Sequence, residues 1–467
     1  MSINDETPES ARVHWTRSFK AKSGPKYIQI ADMISESIQS GILQQGDQIP
    51  PQRTLAAHLG VDLTTITRAY TEARNRGLIA SYSGRGSYVM GASEPEQPTR
   101  IDLTMNIPPQ PANGSMADHV RSGIEQLLAR TSVETLSSYQ DEPVTRAVLQ
   151  AAQGWLRPAL DDLDTRDLLV CSGSQAAIFA ILTAHARPGD TVLCDPLTYP
   201  GLLLAAEQLN LLLYPVTGDE HGMCPDALEQ AYQASGARLL YLNPTLHNPT
   251  THTMPLIRRQ EIARLIQRCE ITLIEDDPHR YLLDDAPLPI ATLLGGANTY
   301  YMASLSKCLW PSLRTSFVLP PSGDDGQRLQ RSLRALSMGC STLLLTLVEQ
   351  WIRSGSAREL VREIQREARA RQQLARALLN HPFQAHPTGL HLWLPLPAHW
   401  NPELFTHALS NEGVGVASGH SFSVSPHAPD GVRISLGGNS KAMLGRALRK
   451  IDSLVNQDQR RGSRAFV

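Results

Sequence analysis

Cysteine is scarce in this sequence and follows no pattern. Six cysteines are scattered through 467 residues, without a CxxC pair or any other tight spacing. A disulfide framework and a zinc or other metal site built from closely spaced ligands are therefore not expected. Scattered thiols fit a reducing compartment, and we expect the protein to be cytoplasmic.

The sequence also lacks a recognisable secretory leader and a long hydrophobic run. It starts with the polar, acidic stretch MSINDETPES, which is not typical of a signal peptide. The most apolar run, residues 202–213, is interrupted by Glu207 and Gln208 and is too short to cross a bilayer. No membrane partner is predicted.

An excess of one charge is missing as well. The 43 Lys and Arg residues nearly balance the 45 Asp and Glu residues, for a formal net charge of −2. Overall charge therefore predicts neither a polyanionic nor a membrane partner, and any basic surface must be local. Hydrophobic residues make up 41% of the chain, which is enough for buried cores. The length corresponds to roughly two to four domains of about 100–200 residues each.

Composition and periodicity divide the chain into two domains with short flanking segments. The stretch GASEPEQPTR is rich in Pro and Glu and has no periodicity, which is typical of a linker. The predicted organisation is a flexible N-terminal tail at residues 1–23, a first domain at 24–92, a linker at 93–101, a large domain at 102–455 and a polar tail at 456–467.

The first domain begins with helical patterns and ends with two β-like runs. Ile30, Ile34 and Ile38 recur every four residues, and a glycine follows each of three successive helical patterns. Residues 78–82 and 87–90, joined by the segment SGRG, predict two strands. We therefore predict three helices followed by a two-stranded hairpin.

Positive charge is concentrated in this first domain. Residues 12–88 contain ten basic and five acidic residues, a local net charge of +5. A basic domain on a neutral chain suits phosphate binding, and the start of a recognition helix meets base edges and phosphates. The candidate DNA contacts are Thr64, Thr65, Thr67 and Arg68 on the third helix, and Arg85 on a loop narrow enough for a minor groove. A helical oligomerisation domain with solvated charges is the alternative.

Residues 25–89 resemble a GntR-type winged helix-turn-helix along their whole length. The matching segments are PKYIQIADMISESIQSGILQQGDQIP, PQRTLAAHLGV, TTITRAY, GLI and GRGSYV. The resemblance implies that DNA is contacted by Arg53 of the second helix, Thr65, Thr67 and Arg68 of the third helix, and Gly86 of the wing. Relatives often have Ser-Arg where this chain has Asp62-Leu63, so the half-site sequence stays open.

Beyond the linker, β-like runs alternate with helical patterns such as residues 256–268. The β-like runs lie at residues 168–170, 191–194, 238–242, 271–274 and 316–319. This alternation predicts βαβ units, and hence an α/β domain with a mostly parallel central sheet. A strongly helical stretch and shorter strands near residues 391–396 and 431–436 predict a smaller C-terminal α+β subdomain.

Polar segments stand close to several of these runs. They are SGSQ at residues 172–175, DPLTY at 195–199, NPT at 248–250, EDD at 275–277 and SLSK at 304–307. A Gly-Ser turn that opens a helix can bind an anion, and acids at the carboxyl end of a parallel strand point into the usual ligand crevice. Taken singly, each segment also fits a turn, core packing, a solvated strand end or a solvated lysine.

In this order, the segments resemble fold-type I enzymes that depend on pyridoxal 5′-phosphate (PLP), of the aminotransferase class I and II type. The resemblance covers residues 102–451 and implies that Lys307 forms the Schiff base, Asp276 pairs with the pyridine nitrogen and Arg433 binds a substrate or effector carboxylate. The other implied cofactor contacts are Asn248 to the phenolic oxygen, Tyr199 to the ring, Ser174, Gln175, Ser304, Ser306 and Arg314 to the phosphate, and Tyr139 to the neighbouring subunit's phosphate.

Three departures from that pattern affect the expected chemistry. His279 occupies the position where relatives have a tyrosine for the phenolic oxygen, and Tyr281 lies two residues later. Thr251 replaces the glycine of Asn-Pro-Thr-Gly, and the segment after Tyr139 lacks two glycines. Each departure is expected to reduce transamination without abolishing cofactor binding.

A GntR-like domain followed by an aminotransferase-like domain resembles the architecture of the MocR subfamily of regulators. The resemblance implies a homodimer that presents two DNA-binding domains to double-stranded DNA. The favoured hypothesis is a transcriptional regulator in which PLP, bound as the internal aldimine, senses an amine, an amino acid or PLP itself and alters promoter binding. An active aminotransferase with a secondary DNA-binding domain is the first alternative, and a structural dimer without a working site is the second.

Overall fold

The computed structural model divides the chain into two compact units, with the division between Thr99 and Arg100. The structure describes residues 16, 24–44, 46–82, 86–90, 100–111, 116–137, 145–161, 163–337, 339–425 and 430–457. Each unit has its own hydrophobic core. Within these described ranges, no helix has both the length and the hydropathy that a membrane span requires.

The smaller unit combines three helices with a small antiparallel sheet. Its elements are α1 (Lys26–Gln39), β1 (Gln48–Ile49), α2 (Gln52–Leu59), α3 (Leu63–Asn75), β2 (Ile79–Tyr82) and β3 (Gly86–Val89). The strands lie in the order β1-β3-β2. The predicted helices and hairpin are present, and β1 adds a third strand that two residues of sequence could not reveal by periodicity.

The core of the smaller unit explains how α3 is held. Ile30 and Ile34 of α1, Leu55 of α2 and Tyr70 of α3 are fully buried together. The Tyr70 hydroxyl donates a hydrogen bond to the backbone oxygen of Pro50, 2.7 Å away, so α3 is attached to the segment before α2. With one face of α3 buried in this way, its opposite face is left exposed.

The larger unit contains most of the secondary structure. In chain order its elements are β4 (Ile101–Asp102), α4 (Met116–Leu128), α5 (Val133–Ser137), α6 (Arg146–Leu160), β5 (Leu169–Cys171), α7 (Ser174–His185), β6 (Thr191–Cys194), α8 (Pro200–Gln208), β7 (Leu212–Pro215), β8 (Gly218–Asp219), β9 (Gly222–Met223), α9 (Pro225–Ser235), β10 (Leu239–Leu242), α10 (Leu256–Cys269), β11 (Thr272–Asp276), α11 (Ile290–Leu293), β12 (Thr299–Ser304), β13 (Ser316–Leu319), α12 (Gly323–Leu336), α13 (Thr342–Ser354), α14 (Ser356–Leu378), β14 (Gln384–Ala385), β15 (His391–Pro395), α15 (Pro402–Asn411), β16 (Val414–Gly415), β17 (Ala417–Ser418), β18 (Gly431–Ser435) and α16 (Lys441–Val455). Short 3-10 helices lie at Arg280–Leu282, Pro311–Leu313 and Gly419–Phe422.

A seven-stranded sheet in the order β5-β13-β12-β11-β10-β6-β7 lies at the centre of this unit. Strand β13 runs antiparallel to both of its neighbours, and the other pairings are parallel. The predicted α/β domain with a mostly parallel central sheet is therefore confirmed. The crossover helices of such a parallel sheet lie on both of its sides, and they cover both of its faces.

The burial of β12 shows that both faces are covered. All six of its residues are buried, and alternate side chains belong to different hydrophobic clusters. Tyr300 and Met302 pack with residues of α7, whereas Tyr301 and Ala303 pack with residues of α6 and α13. This alternation is the two-residue period of a strand, and it leaves only the strand ends available for a ligand site.

The C-terminal part forms a second sheet in the order β14-β15-β18-β17, with antiparallel pairing. Residues of α14, α15 and α16 pack in the same hydrophobic cluster as this sheet, which matches the predicted α+β subdomain. Strand β4, at the start of the larger unit, pairs in parallel with β16. The first described residues after the predicted linker therefore belong to the C-terminal subdomain.

Candidate functional site

The ends of β11 and β12 position the two residues with the most specific predicted chemistry. Asp276 is the last residue of β11, and Lys307 lies three residues after the end of β12. These strands are parallel neighbours, with Asp276 in register with Met302. Both side chains therefore start from the same edge of the sheet, the carboxyl edge, where ligands of such sheets bind.

Asp276 is a buried carboxylate that uses only one of its two oxygens. Its Oδ2 accepts a hydrogen bond of 2.9 Å from the Tyr241 hydroxyl, while its Oδ1 is buried without a partner among the described residues. Burial raises the pKa of Asp276 to about 7, although the hydrogen bond from Tyr241 lowers it. An unused buried acceptor of this kind is suited to a charged N–H donor from a ligand.

Lys307 is a half-buried lysine whose amine is hydrogen-bonded within the protein. Its Nζ donates a hydrogen bond of 2.6 Å to the backbone oxygen of Asn106. Burial, together with the positive charges of Arg433 and Arg314, lowers the pKa of Lys307 to about 8, although Asp276 raises it. Near neutral pH roughly a tenth of the amine is therefore unprotonated, far more than for an ordinary lysine, and nucleophilic attack on a carbonyl requires this form.

Arg433, on β18, is a buried cation without a carboxylate beside it among the described residues. Its Nη1 donates to Oδ1 of Asn248 at 2.7 Å, its Nη2 donates to the backbone oxygen of Thr104, and its Nε has no described partner. The guanidinium also lies over the Phe422 ring, 4.9 Å from its centroid. Burial lowers the pKa of Arg433 to about 10. A buried guanidinium with an unused N–H is suited to a carboxylate.

His279 and Tyr281 lie in different surroundings. The Nε2 of His279 lies 3.4 Å from Nδ2 of Asn106, and its Nδ1 has no described partner. Burial, with Lys307 and Arg433 nearby, lowers the pKa of His279 to about 3, so its imidazole is neutral. The Tyr281 hydroxyl donates to the backbone oxygen of Trp155 and its ring packs against Trp155, so it is turned into the core instead.

Tyr199 belongs to the same charged group of residues. Burial raises its pKa, the negative charge of Asp276 raises it further, and Arg314 and Arg433 lower it. Its ring also lies against Gly201, where an added Cβ would be 2.3 Å from Cε1 of Tyr199.

An anion-binding corner lies where β5 meets α7. Gly173 adopts φ 95° just before α7, and a Cβ there would lie 3.0 Å from Nη2 of Arg314. Arg314 donates to the backbone oxygen of Ser172 at 3.3 Å. Ser174 begins α7, and its Oγ is 3.4 Å from Oγ of Ser316. A helix N-terminus, hydroxyls and a guanidinium at one point favour a phosphate.

Three further predicted phosphate ligands lie next to this corner, namely Gln175, Ser304 and Ser306. Gln175 donates from Nε2 to the backbone oxygen of Gly201 at 2.8 Å, and its Oε1 is buried without a described partner. The Oγ of Ser304 accepts from the backbone N–H of Ser306 at 3.2 Å, at the point where β12 ends. Tyr139 was also predicted as a phosphate ligand, but it lies outside the described residues.

Sequence reasoning missed the residues that support the site. Asn243 donates from Nδ2 to the backbone oxygen of Asp276 at 2.7 Å and accepts, on Oδ1, the backbone N–H of Asn248. Tyr241 holds Asp276, and His391 holds the Asn106 side chain through Nδ1 at 3.1 Å. Their only signal in the sequence is that Tyr241 interrupts, and Asn243 follows, the aliphatic run of β10, which ordinary core composition also explains.

In the smaller unit, the predicted DNA contacts lie mainly on the exposed faces of α2 and α3. The side chains of Arg53, Thr64, Thr67 and Arg68 are exposed, and Thr65 is half-buried. The Thr67 hydroxyl lies 2.8 Å from Oε1 of Gln52, which links α3 to α2. Gly86 adopts φ 97° at the start of β3, and Arg85 lies outside the described residues.

Known protein families match both units. Residues 98–451 match the family of class I and II aminotransferases, and residues 26–89 match the gntR family of bacterial regulatory proteins. The vitamin B6 salvage pathway transcriptional repressor PtsJ of Salmonella typhimurium is 31% identical over 87% of this chain and 93% of its own length. The HTH-type transcriptional regulator YdeF of Bacillus subtilis is 28% identical over 92% of this chain and 94% of its own length.

A solved structure shows the same fold in the larger unit. LysN, an α-aminoadipate aminotransferase from Thermus thermophilus, aligns with a TM-score of 0.71 and 19% identity, over 85% of this chain and all of its own. With the two family matches and the regulators that align along the chain, the predicted resemblance to the MocR architecture is confirmed.

The class I and II aminotransferases imply PLP as the cofactor, and the residues present here fit it. The unused Oδ1 of Asp276 is an acceptor for a protonated pyridine nitrogen, and Lys307 is an amine of lowered pKa for the aldehyde. Gly173 leaves free the space beside Arg314 that a phosphate oxygen needs. Acid, amine and anion corner all lie at the carboxyl edge of one sheet.

Proposed function

This chain belongs to the class I and II aminotransferase family, joined to a GntR-family domain, and on that premise we propose that it is a PLP-dependent DNA-binding transcriptional regulator. The observation that carries the proposal is the pairing of an exposed basic helix face with a buried site. In that site Asp276 Oδ1 and Arg433 Nε are unused. The nearly full-length similarity to regulators, one of them a vitamin B6 repressor, supports the same conclusion.

In this proposal the larger unit binds PLP through specific residues. Lys307 is the attachment point and Asp276 accepts the pyridine N–H. Arg433 is reserved for an effector carboxylate. The remaining proposed cofactor contacts are Ser174, Gln175, Ser304, Ser306 and Arg314 at the phosphate, Tyr199 at the ring, Asn248 and His279 near the phenolic oxygen, and Tyr139 from a second subunit of a homodimer. When bound, PLP supplies an aldehyde that reacts with primary amines.

The way Lys307 and Arg433 are held suggests how binding is transmitted. Both donate to backbone oxygens of one segment, Lys307 to Asn106 and Arg433 to Thr104. A group that takes either side chain as its own partner competes with these bonds and loosens residues 104–106. That segment follows β4, and β3, the last strand of the DNA-binding unit, ends at Val89, 15 residues before Thr104 in the chain.

The smaller unit binds double-stranded DNA in this proposal. Arg53, Thr64, Thr67 and Arg68 present an exposed face of hydroxyls and cations, with Thr65 beside them. Arg85 and Gly86 form the proposed wing contact. Hydroxyl and guanidinium donors bind phosphates and base edges, and α3 has the exposed face that a major groove admits.

The test is a DNA-binding titration on the protein's own promoter region. Fluorescence anisotropy would be measured without PLP, with PLP, and with PLP plus a panel of amines and amino acids. We expect a specific, salt-sensitive complex whose affinity changes with PLP or with one amine. Specific binding that no ligand alters would contradict the sensor proposal, and absence of specific binding would contradict the regulator proposal as a whole.

An active aminotransferase is the second candidate, and one observation favours it. The pKa of Lys307, lowered to about 8, suits a base that accepts and returns a proton near neutral pH. The neutral His279 in the tyrosine position argues against efficient turnover, because no phenol stands there to hold the phenolic oxygen. Consumption of an amino donor by protein that fails to bind its promoter would favour this candidate.

A further inference from the structure

A cavity of about 700 Å³ lies in the larger unit, apart from the site around Lys307. Its walls are the turn after β6 at residues 195–197, the β8–β9 hairpin, the loop at residues 247–253 and residues 383–386 of the C-terminal subdomain. Lys307, Asp276 and Arg433 are not among its lining residues. The volume is in the range of natural small-molecule pockets, which is about 300–1,000 Å³.

Asp195 is the chemically distinctive residue of this cavity. Its side chain is buried, and burial raises its pKa to about 7, with no described neighbouring charge lowering it. The nearest ionisable group is His247, whose Nε2 is 3.6 Å from Oδ2 of Asp195. Because burial also lowers the pKa of His247 well below its ordinary value, that imidazole is neutral. Asp195 is therefore a buried acid without a cationic partner among the described residues.

Two neutral imidazoles form the wall beside Asp195. His247 and His252 are stacked with ring centroids 4.6 Å apart, and the Thr250 hydroxyl lies 2.7 Å and 2.8 Å from their Nδ1 atoms. Burial lowers the pKa of His252 to about 4. The Thr250 hydroxyl has one proton, which it can donate to only one of the two Nδ1 atoms. The other Nδ1 must therefore carry a proton and donate it to the hydroxyl oxygen. Hydrogen bonding thus holds both imidazoles as neutral tautomers.

The remaining polar groups make the cavity rich in acceptors. Asp219 and Glu220 also line it, and Arg258, the cation nearest to them, is already bound to Asp219 at 2.9 Å. Among the described residues, no lysine or arginine lines the cavity. Within the described ranges, no group of three or more His, Cys, Asp or Glu side chains is arranged to hold a metal ion.

We propose that this cavity binds a small organic cation, whose N–H groups donate to the Asp195 carboxylate while its apolar part contacts Leu197 and Phe383. A hydrogen-bonding cation meets the requirement of a buried acid without a partner, whereas an anion would meet three acids and no lysine or arginine among the described lining residues. The site is separate from the PLP site and does not depend on the proposed regulatory function.

The test is a calorimetric titration of the full PLP-loaded chain with 2-(dimethylamino)ethanol, at a pH of about 8, where Asp195 is ionised. This tertiary amine is protonated at that pH and cannot form an imine, so any heat arises away from the Lys307 chemistry. We expect saturable binding of one molecule per chain. Lys307→Ala should leave this binding unchanged, and its loss in that variant would place the cation in the PLP site and overturn the proposal.

Three variants at the cavity test whether negative charge favours binding of the cation and positive charge opposes it. Asp195→Asn should weaken binding by about tenfold or more. Gln384 lines the cavity and is exposed, so Gln384→Lys should weaken binding and Gln384→Glu should strengthen it without disturbing the fold. Asp164→Asn and Gln208→Lys make matched charge changes at exposed positions outside the cavity and should have no effect. Absence of saturable heat, or equal affinities in all variants, would overturn the proposal.

Discussion

The two units use their cations in opposite ways. In the smaller unit Arg53 and Arg68 are exposed and form no ion pair with a described residue, on a surface that water and salt reach. In the larger unit Arg433 is buried and Lys307 is half-buried, and desolvation lowers the pKa of each. The first arrangement suits a long polyanion, and the second suits one small anionic or carbonyl-bearing ligand.

The physical reason for the contrast is the cost of desolvation. An exposed guanidinium keeps its hydration, gains little from any single phosphate, and needs several contacts whose sum depends on salt. A buried cation has already lost its hydration, so a single well-placed carboxylate or phosphate gains much more from it. Salt should therefore weaken DNA binding strongly, whereas the cofactor site should respond mainly to changes in its own buried charges.

The largest expected effect comes from a substitution that abolishes cofactor attachment in the larger unit and leaves DNA binding by the smaller unit unchanged. Lys307→Ala removes the amine to which the cofactor attaches, and we expect complete loss of the visible absorbance of PLP-loaded protein. Non-specific DNA binding should stay unchanged, because the exposed cations are untouched. Absorbance spectra and anisotropy on random DNA measure the two effects. Loss of both would mean that the variant is misfolded, which circular dichroism would reveal.

The second prediction concerns the pH dependence of the buried site. Arg433 is a positive charge that lowers the pKa of Lys307, so Arg433→Gln should raise that pKa above its present value of about 8. At a pH of about 8 less of the amine is then unprotonated, and the protein should take up added PLP more slowly. The midpoint of the rate against pH should move upward by about 1 pH unit.

Exposed Arg166 of the larger unit provides the control for this pH shift. It lies in an ion pair with Asp164 on the surface, so Arg166→Gln should leave the midpoint unchanged. A downward shift, or no shift, in Arg433→Gln would show that Arg433 does not act on Lys307.

The third prediction addresses the exposed unit. Arg53→Ala should weaken operator binding and reduce the slope of log affinity against log salt by about 1, because one phosphate contact is lost. Arg166→Ala, a matched loss of an exposed cation in the larger unit, should leave the slope unchanged. Anisotropy titrations over a range of salt concentrations measure both slopes. An unaltered slope in Arg53→Ala would remove Arg53 from the DNA interface.

The smallest expected effect compares two backbone positions with positive φ. Thr251 in the larger unit adopts φ 67°, which a β-branched residue rarely does. Thr251→Gly should relieve this backbone strain and raise the free energy of unfolding by roughly 0.5–1 kcal/mol. Gly86 of the smaller unit adopts φ 97°, and a Cβ there would lie 2.6 Å from Nε2 of Gln48. Gly86→Ala should therefore destabilise by about 1 kcal/mol.

Thermal unfolding followed by calorimetry measures these two changes, and their opposite signs are the result to look for. Stabilisation by Gly86→Ala would show that the wing position tolerates a side chain. Destabilisation by Thr251→Gly would show that the Thr251 side chain contributes more than its backbone conformation costs.

Sequence reasoning was most informative where the family resemblance requires a particular residue type near a particular strand end. Asp276 and Lys307 could be named as candidates because the order of the motifs around them resembles that family, whereas each motif taken singly also has an ordinary structural explanation. Strand β1 and the supporting residues Tyr241 and Asn243 could not be named in the same way. A two-residue strand has no periodicity, and a tyrosine within a buried run is ordinary core composition.

The sequence by itself determined the two-domain organisation, the α/β class of the larger unit and the family, and the family resemblance supplied the candidate reactive residues. These follow from local periodicity, from composition and from motif order, which a linear chain carries in full. Only the tertiary structure decided that Lys307 and Arg433 both hold residues 104–106, that Tyr281 is turned into the core and His279 is not, and that Asp195 faces a cavity with two neutral histidines. Those facts depend on contacts between residues far apart in the chain, and on burial, which sets the charge state of each group.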